Sequence, residues 1–304
     1  MNNSSPLVSV GMPVYNGKLY VREAIESILT QSFTNFELIV SDNASNDGTE
    51  AICQDYAKKD SRIRYSRAQI NHGAGWNLNR VVELSSGKYF VWAHHDDRRA
   101  PTYLAQCVEI LERNSSIVLC YSAMRDIDEN GSCIDRQELF LNVASTNPTE
   151  RFQDLIRMDH LCEPIFGLIR MDLLRKTPII GNYPDSDRVL LTELALHGPF
   201  CRVPDVLFFR RAHALQSTAV NPSRQQRAIW YDPSKIGKRI YPHFRQFLEY
   251  VSAIGRAPLA WRERICCYRH MGKWFLVNRK RLFWDLVIGF KETLRPLKTA
   301  LNFR

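Results

Sequence analysis

No C-x-x-C pair occurs among the eight cysteines of this chain, at positions 53, 107, 120, 133, 162, 201, 266 and 267, and no cysteine–histidine group has zinc-ligand spacing. Zinc-ribbon and thioredoxin-type chemistries are thereby excluded, and the cysteines read as small, reduced core side chains of a cytosolic protein. The glycine-rich phosphate loop of nicotinamide enzymes, G-x-G-x-x-G, is missing where the first strand ends, at Gly11-Met12-Pro13-Val14-Tyr15. The opening Met1-Asn2-Asn3-Ser4-Ser5-Pro6 lacks the basic start and apolar run of a signal peptide. The strongest late apolar run, Leu282 to Phe290, is short and broken by Asp285, whereas a membrane span needs roughly 20 apolar residues. There is no internal repeat and no low-complexity tract. What remains is the expectation of a cytoplasmic globular protein without a membrane span.

The 304 residues suffice for one large domain and an appendage. The formal charge of +9 is unevenly spread: residues 1–222 carry 23 Lys/Arg against 27 Asp/Glu, and residues 223–304 carry 18 against 5, a local +13. In that tail Trp261, Trp274, Phe275, Phe283 and Trp284 are interleaved with Arg and Lys. The tail holds no motif of a nucleic-acid-binding domain, so no nucleic-acid partner is expected. Two readings stay open. The tail helices lie on an anionic membrane surface, which places the protein peripherally at the inner face of the cell membrane. Alternatively, the aromatics pack onto the rest of the chain or a second subunit.

Apolar runs at residues 7–12, Phe36 to Val40, Ile63 to Tyr65, Lys88 to Trp92 and Ile117 to Tyr121 read as strands. Between them, helical periodicity marks Val21 to Leu29, Thr49 to Tyr56, Gly75 to Leu84 and Thr102 to Glu112, the last opened by Pro101. This alternation predicts a mostly parallel sheet with helices on both faces. A less regular insertion runs from Asp126 to about Asn182, with one helix near Glu150 to Met158; a helix follows at Asp187 to His197 and a closing strand at Val203 to Arg210.

The strand Tyr89-Phe90-Val91-Trp92 runs into Ala93-His94-His95-Asp96-Asp97. Adjacent carboxylates at a strand's carboxyl end lie where open α/β sheets bind ligands. Such hard oxygen ligands suit Mg²⁺ or Mn²⁺ shared with a substrate's phosphates. Tyr15, at the end of the first strand, is placed to stack on a pyrimidine. Asp42 and Asn43, in Ser41-Asp42-Asn43-Ala44-Ser45-Asn46-Asp47-Gly48-Thr49, offer an acceptor and an amide that together complement uracil.

These segments resemble the family 2 glycosyltransferases of the GT-A fold over about residues 6–215. The resemblance rests on Pro13-Val14-Tyr15-Asn16, on Glu23-Ala24-Ile25 through Ser27-Ile28-Leu29 to Gln31-Ser32-Phe33, on the Asp42 to Thr49 loop, on Asn71-His72-Gly73 with Asn77, and on Gly87-Lys88-Tyr89. It implies an α/β fold of GT-A type, a Rossmann-like, mostly parallel sheet with helices on both faces plus a C-terminal helical appendage. The catalytic domain would span 1–220, with a nucleotide-sugar half to about 125 and an acceptor half from about 126. A basic, aromatic-rich helical region would follow at 221–304. The implied activity is inverting transfer of a sugar from a nucleoside-diphosphate donor, expected to be a UDP-sugar, to a glycan or lipid-linked acceptor in cell-surface polysaccharide synthesis.

By the same resemblance, Pro13, Tyr15, Asp42, Asn43, Asn71, Asn77, His94, His95, Asp96 and Arg211 contact the donor. Asp96 holds the metal, with His213 a further ligand, and Asp187 is the general base with Asp185 in reserve. The chain departs from the family pattern where His94 replaces the first aspartate of the metal motif, Asn43 replaces an acidic residue, and Ser186 replaces a glutamate. An imidazole in the ligand set favours Mn²⁺ over Mg²⁺. The lost aspartate also sustains a rival expectation, a catalytically silent relative used for binding or assembly. Donor-sugar selectivity is expected from loops at 94–100 and 160–187.

Overall fold

The computed structural model describes residues 5–135, 141–157, 160 and 162–301. In chain order the elements begin β1 Val8–Val14, α1 Val21–Leu29, β2 Phe36–Asp42, α2 Thr49–Lys59, β3 Ile63–Arg67, α3 Ala74–Glu83 and β4 Tyr89–Trp92. They continue β5 Arg98–Arg99, α4 Tyr103–Arg113, β6 Leu119–Ile127, β7 Cys133–Ile134, α5 Pro148–Arg157, β8 Leu168–Arg170 and α6 Met171–Leu174. The chain closes with α7 Ser186–His197, β9 Phe200–Arg211, α8 Ser217–Val220, α9 Arg224–Tyr231, α10 Pro242–Arg256 and α11 Trp261–Leu301. The expected helix near Glu150 starts at Pro148, and Met158, expected at its end, lies outside the described residues.

One sheet runs in the order β3-β2-β1-β4-β8-β6-β9-β5, with β7 paired to β6. Its first four strands are mutually parallel, as the strand–helix alternation requires, because a parallel neighbour is reached only through a crossover. Strand β2 is buried at every position and β1 is nearly so, since helices cover both faces. α1 shows how: Val21, Ala24, Ile25 and Ile28 form one buried stripe. The sheet departs from the simple parallel expectation at β8, which lies antiparallel between β4 and β6, and at the antiparallel edge pair β5–β9. Both short strands come from segments without clear apolar alternation.

A second apolar core joins α10 and α11 to α5 and α7. Phe152 and Ile156 of α5 and Val189 and Leu196 of α7 meet Tyr250 and Ile254 of α10 and Cys267, Met271, Trp274 and Leu282 of α11. Arg256 locks this junction through two bonds, of 2.8 and 2.7 Å, to the fully buried Glu193 of α7. His243 and Asp285 pair at 2.8 Å between α10 and α11. Of the tail aromatics, Trp274 is therefore core, while Trp261, Phe275, Phe283 and Trp284 stay exposed. Among the described residues no helix is long and apolar enough to cross a membrane.

Candidate active site

The ends of β1, β2 and β4 share one edge of the sheet, and the loops leaving them are tied together by short polar bonds. Asn16, in left-handed backbone, accepts from the Asn46 amide at 3.0 Å and donates its own to Ser45 Oγ at 2.9 Å. Asp42 is wholly buried; its carboxylate accepts from the Ser45 amide and the Tyr65 hydroxyl, both at 2.8 Å. Burial, then this carboxylate, pushes the Tyr65 phenol up, so it stays a donor. Asn43 Oδ1 accepts from the His72 amide at 3.0 Å, and its Nδ2 donates to Asn71 Oδ1 at 2.9 Å and to the Gly73 carbonyl at 3.1 Å. Asn77 reaches from α3 to donate to the Ser41 and Val14 carbonyls, at 2.9 and 3.3 Å. The expected donor-side residues are thus brought together, with Asn43, Asn71 and Asn77 binding the loops to one another. Tyr15 stands exposed above them, and Pro13 lies beside Ser41 in the β1–β2 register.

Gly73 is required twice over. Its φ of +89° lies in the left-handed region, and a Cβ there would meet the Tyr231 carbonyl at 2.5 Å. Gly17 is required for close approach: a Cβ would meet His95 Cδ2 at 2.6 Å, so the loop after β1 lies directly against the loop after β4.

That second loop carries the candidate metal centre. His94, Asp96 and Asp97 each offer a ligand atom, all within 4.8 Å of one another. The loop is held at both ends, by the Ala93 amide on the Gly11 carbonyl at 2.8 Å and by β5, whose register sets Arg98 opposite Phe209 of β9. This register carries the end of β9 past the loop. The Arg211 amide donates to Asp97 Oδ1 at 2.9 Å, and His213 Nε2 lies 3.0 Å from Asp96 Oδ2.

Burial opposes the charge on Asp96, but His95, His213 and His94 outweigh it and hold the carboxyl well below its usual range. Asp97 is pushed well above its usual range by burial and then by Asp96. Desolvation pushes His94 down to about 4, against the pull of Asp96, so its imidazole is neutral at pH 7 and free to be a ligand. Two carboxylates with two imidazoles fit a small divalent cation of the Mn²⁺ or Mg²⁺ kind.

The Arg211 side chain, expected to contact the donor diphosphate, is here engaged with the protein itself. It is 1% exposed, stacks 4.7 Å over the Tyr20 ring, and donates to the carbonyls of Asp96, Asp128 and Glu129 at 3.0 Å each and to Glu23. It braces the metal loop from beneath.

Asp187, the expected general base, lies in the first turn of α7, its Oδ1 accepting from the Arg188 amide at 2.9 Å. Burial, then Asp185, pushes its carboxyl up. Asp185 is instead paired with Arg224 at 2.9 Å. The helix α9 that supplies Arg224 also brings Tyr231, whose hydroxyl is pushed well up by burial and then by Asp187 and Asp185. Sequence reasoning had missed both residues. The signal was present as Ser223-x-x-Gln226, which forms a reciprocal capping box at the start of α9.

A Rossmann-like sheet with a His-Asp-Asp cluster on the loop that leaves one of its parallel strands is the arrangement of a nucleotide-sugar-dependent transferase. Residues 9–176 match the family described as Glycosyl transferase family 2. The uncharacterized glycosyltransferase RT0329 of Rickettsia typhi is 40% identical over 245 residues, covering 75% of this chain and 72% of that one. The putative teichuronic acid biosynthesis glycosyltransferase TuaG of Bacillus subtilis is 36% identical over 115 residues, covering 38% of this chain and 46% of that protein. Other relatives, including one from Rickettsia bellii, are matched over less than half of their length.

Two solved structures share the fold. S. aureus TarS, in complex with UDP-GlcNAc, superposes with a TM-score of 0.66 at 17% identity, over 94% of this chain and 81% of that one. The mannosyltransferase PcManGT of Pyrobaculum calidifontis, in complex with GDP-Man and Mn²⁺, gives 0.58 at 19%, over 99% and 82%. The chain belongs to glycosyltransferase family 2 and has the GT-A fold.

Proposed function

We propose that this enzyme transfers a sugar, with inversion, from a UDP-sugar to a hydroxyl of a glycan or lipid-linked acceptor in cell-surface polysaccharide synthesis. The observation that carries the reading is the juxtaposition of Asp96, His94, Asp97 and His213 at the sheet edge, with Asp187 opening the helix on the acceptor side. The UDP-GlcNAc complex of TarS and the teichuronic acid role given to TuaG support the donor and the setting.

In this reading Asp96 and His213 hold the divalent cation, joined by His94 and Asp97, and the cation supplies charge neutralisation on the departing diphosphate. Tyr15 stacks on the base, which Asp42 and its loop orient. The acceptor oxygen forms a bond to the anomeric carbon as that carbon's bond to the diphosphate oxygen breaks. The hydroxyl proton passes to Asp187, and the nucleoside diphosphate leaves on the opposite face. The raised carboxyl of Asp187 suits a base, since a more basic carboxylate takes a proton more readily.

A donor-hydrolysis screen over UDP-, GDP- and dTDP-sugars with Mn²⁺ tests the proposal. Metal-dependent release of UDP is expected. Tight binding of every donor with no hydrolysis or transfer would instead mark a silent binding protein, the outcome His94 in place of an aspartate would then explain.

A further inference from the structure

We infer that a cavity of about 550 Å³ between the segment preceding Asp187 and the C-terminal helices seats the carrier end of the acceptor, an apolar chain bearing a phosphate. The inference rests on the reading of Asp187 as the acceptor-side base. Asn182, Tyr183 and Pro184 form one wall, so whatever fills the cavity lies against the residues that lead directly into Asp185 and Asp187.

The opposite wall comes from α10, α11 and the segment that leads into α10. Ile240, Phe244, Leu248 and Leu286 make it apolar, and Leu248 and Leu286 are more than half exposed, so the apolar lining reaches solvent at the mouth. Exposed leucines flanking a cavity are a costly surface unless something apolar covers them.

Charge decides which apolar ligand fits. Lys235, Arg239 and Arg245 line the cavity, and among the described residues no carboxylate does. Arg245 is partly neutralised by Glu249 at 2.7 Å and sits 5.5 Å over the Tyr183 ring, and Lys235 has Asp232 at 3.8 Å. Arg239 is exposed and has no ion-pair partner among the described residues. A neutral lipid would leave Arg239 unanswered, and a free anion would leave the apolar wall bare. A phosphate on an apolar chain answers both, with guanidinium forks on the phosphate oxygens. The volume lies within the usual range of small-ligand sites, roughly 300–1,000 Å³.

The test titrates the full chain, by calorimetry, with farnesyl phosphate, farnesol and inorganic phosphate below the micelle concentration, and separately with UDP and Mn²⁺. Farnesyl phosphate is expected to bind at least about tenfold more tightly than either half of it, which is the affinity one charge-assisted contact adds. The double variant Arg239→Ala, Arg245→Ala and the single variant Leu248→Asp are each expected to lose about tenfold for farnesyl phosphate while binding UDP as wild type does. Equal affinity for farnesyl phosphate and farnesol, or wild-type affinity in both variants, overturns the proposal. Inorganic phosphate binding as tightly as farnesyl phosphate also overturns it, in favour of a bare anion site. Loss of UDP binding by the wild-type chain, with farnesyl phosphate still bound, would sink the donor reading and leave the cavity standing.

Discussion

His213 and Asp96, 117 residues apart in the chain, meet at 3.0 Å because the β5–β9 register draws the end of one strand past the loop of another. The contact builds the candidate metal centre from two distant segments. Asp96→Ala is expected to abolish Mn²⁺-dependent UDP binding in calorimetry. His213→Ala should weaken it about 10- to 100-fold, the usual effect of losing one ligand or its hydrogen-bonded support. Unchanged affinity in the Asp96 variant would remove the metal from this loop.

Asp187→Asn should slow transfer by on the order of 10²–10⁴ and leave UDP affinity near wild type. Because the carboxyl is pushed up by burial, its ionised form is unfavourable in the fold, so the amide should not lower the melting temperature at pH 8. The base works only when ionised. The wild-type transfer rate should accordingly fall, as pH drops, through a midpoint above the ordinary aspartate range. An acid limb absent from a rate profile taken down to pH 4.5 would contradict the raised carboxyl.

Arg224 pairs with Asp185, two residues before the proposed base Asp187. Arg224→Ala leaves the Asp185 charge unanswered, and a bare neighbouring carboxylate disfavours ionisation of Asp187. The acid limb of the transfer rate should then move to higher pH, with the donor-binding constant unaltered. A limb that stays in place or moves down would show that the pair does not act on Asp187.

Arg211 tests bracing against phosphate binding. Arg211→Met should lower stability by about 3 kcal/mol without nucleotide, because three carbonyls and a carboxylate lose a buried partner. The check is denaturant unfolding of the nucleotide-free protein. Unaltered stability with weakened UDP affinity would return the residue to the diphosphate role.

Much of the parallel part of the sheet was legible in the chain because each strand and helix there has a strong, local apolar period. Val21, Ala24, Ile25 and Ile28 mark α1, and Tyr89 to Trp92 announce the loop that follows. The carboxylates of that loop were visible as a strand-end pair. The uses of Asn43 and Arg211 were not, since whether an amide or guanidinium faces a ligand or a neighbouring carbonyl depends on partners tens of residues away. Strands β5 and β8 were illegible for a related reason. Two or three residues carry no period, and they pair because β9, β4 and β6 are already in place. α9 was hidden by its polarity, with one residue fully buried, and it reaches Asp185 and Asp187 through Arg224 and Tyr231.

Strand β8 makes the two halves of the sheet one inheritance. Leu168–Arg170 comes from the segment after residue 125, yet it covers the edge of β4 and lies beside β6. A graft that swaps the chain after residue 125 would therefore also replace the strand that covers the edge of β4. Chimeras should succeed only when residues 168–170 come from the same parent as β4, so the natural unit of recombination is interleaved along the chain rather than contiguous.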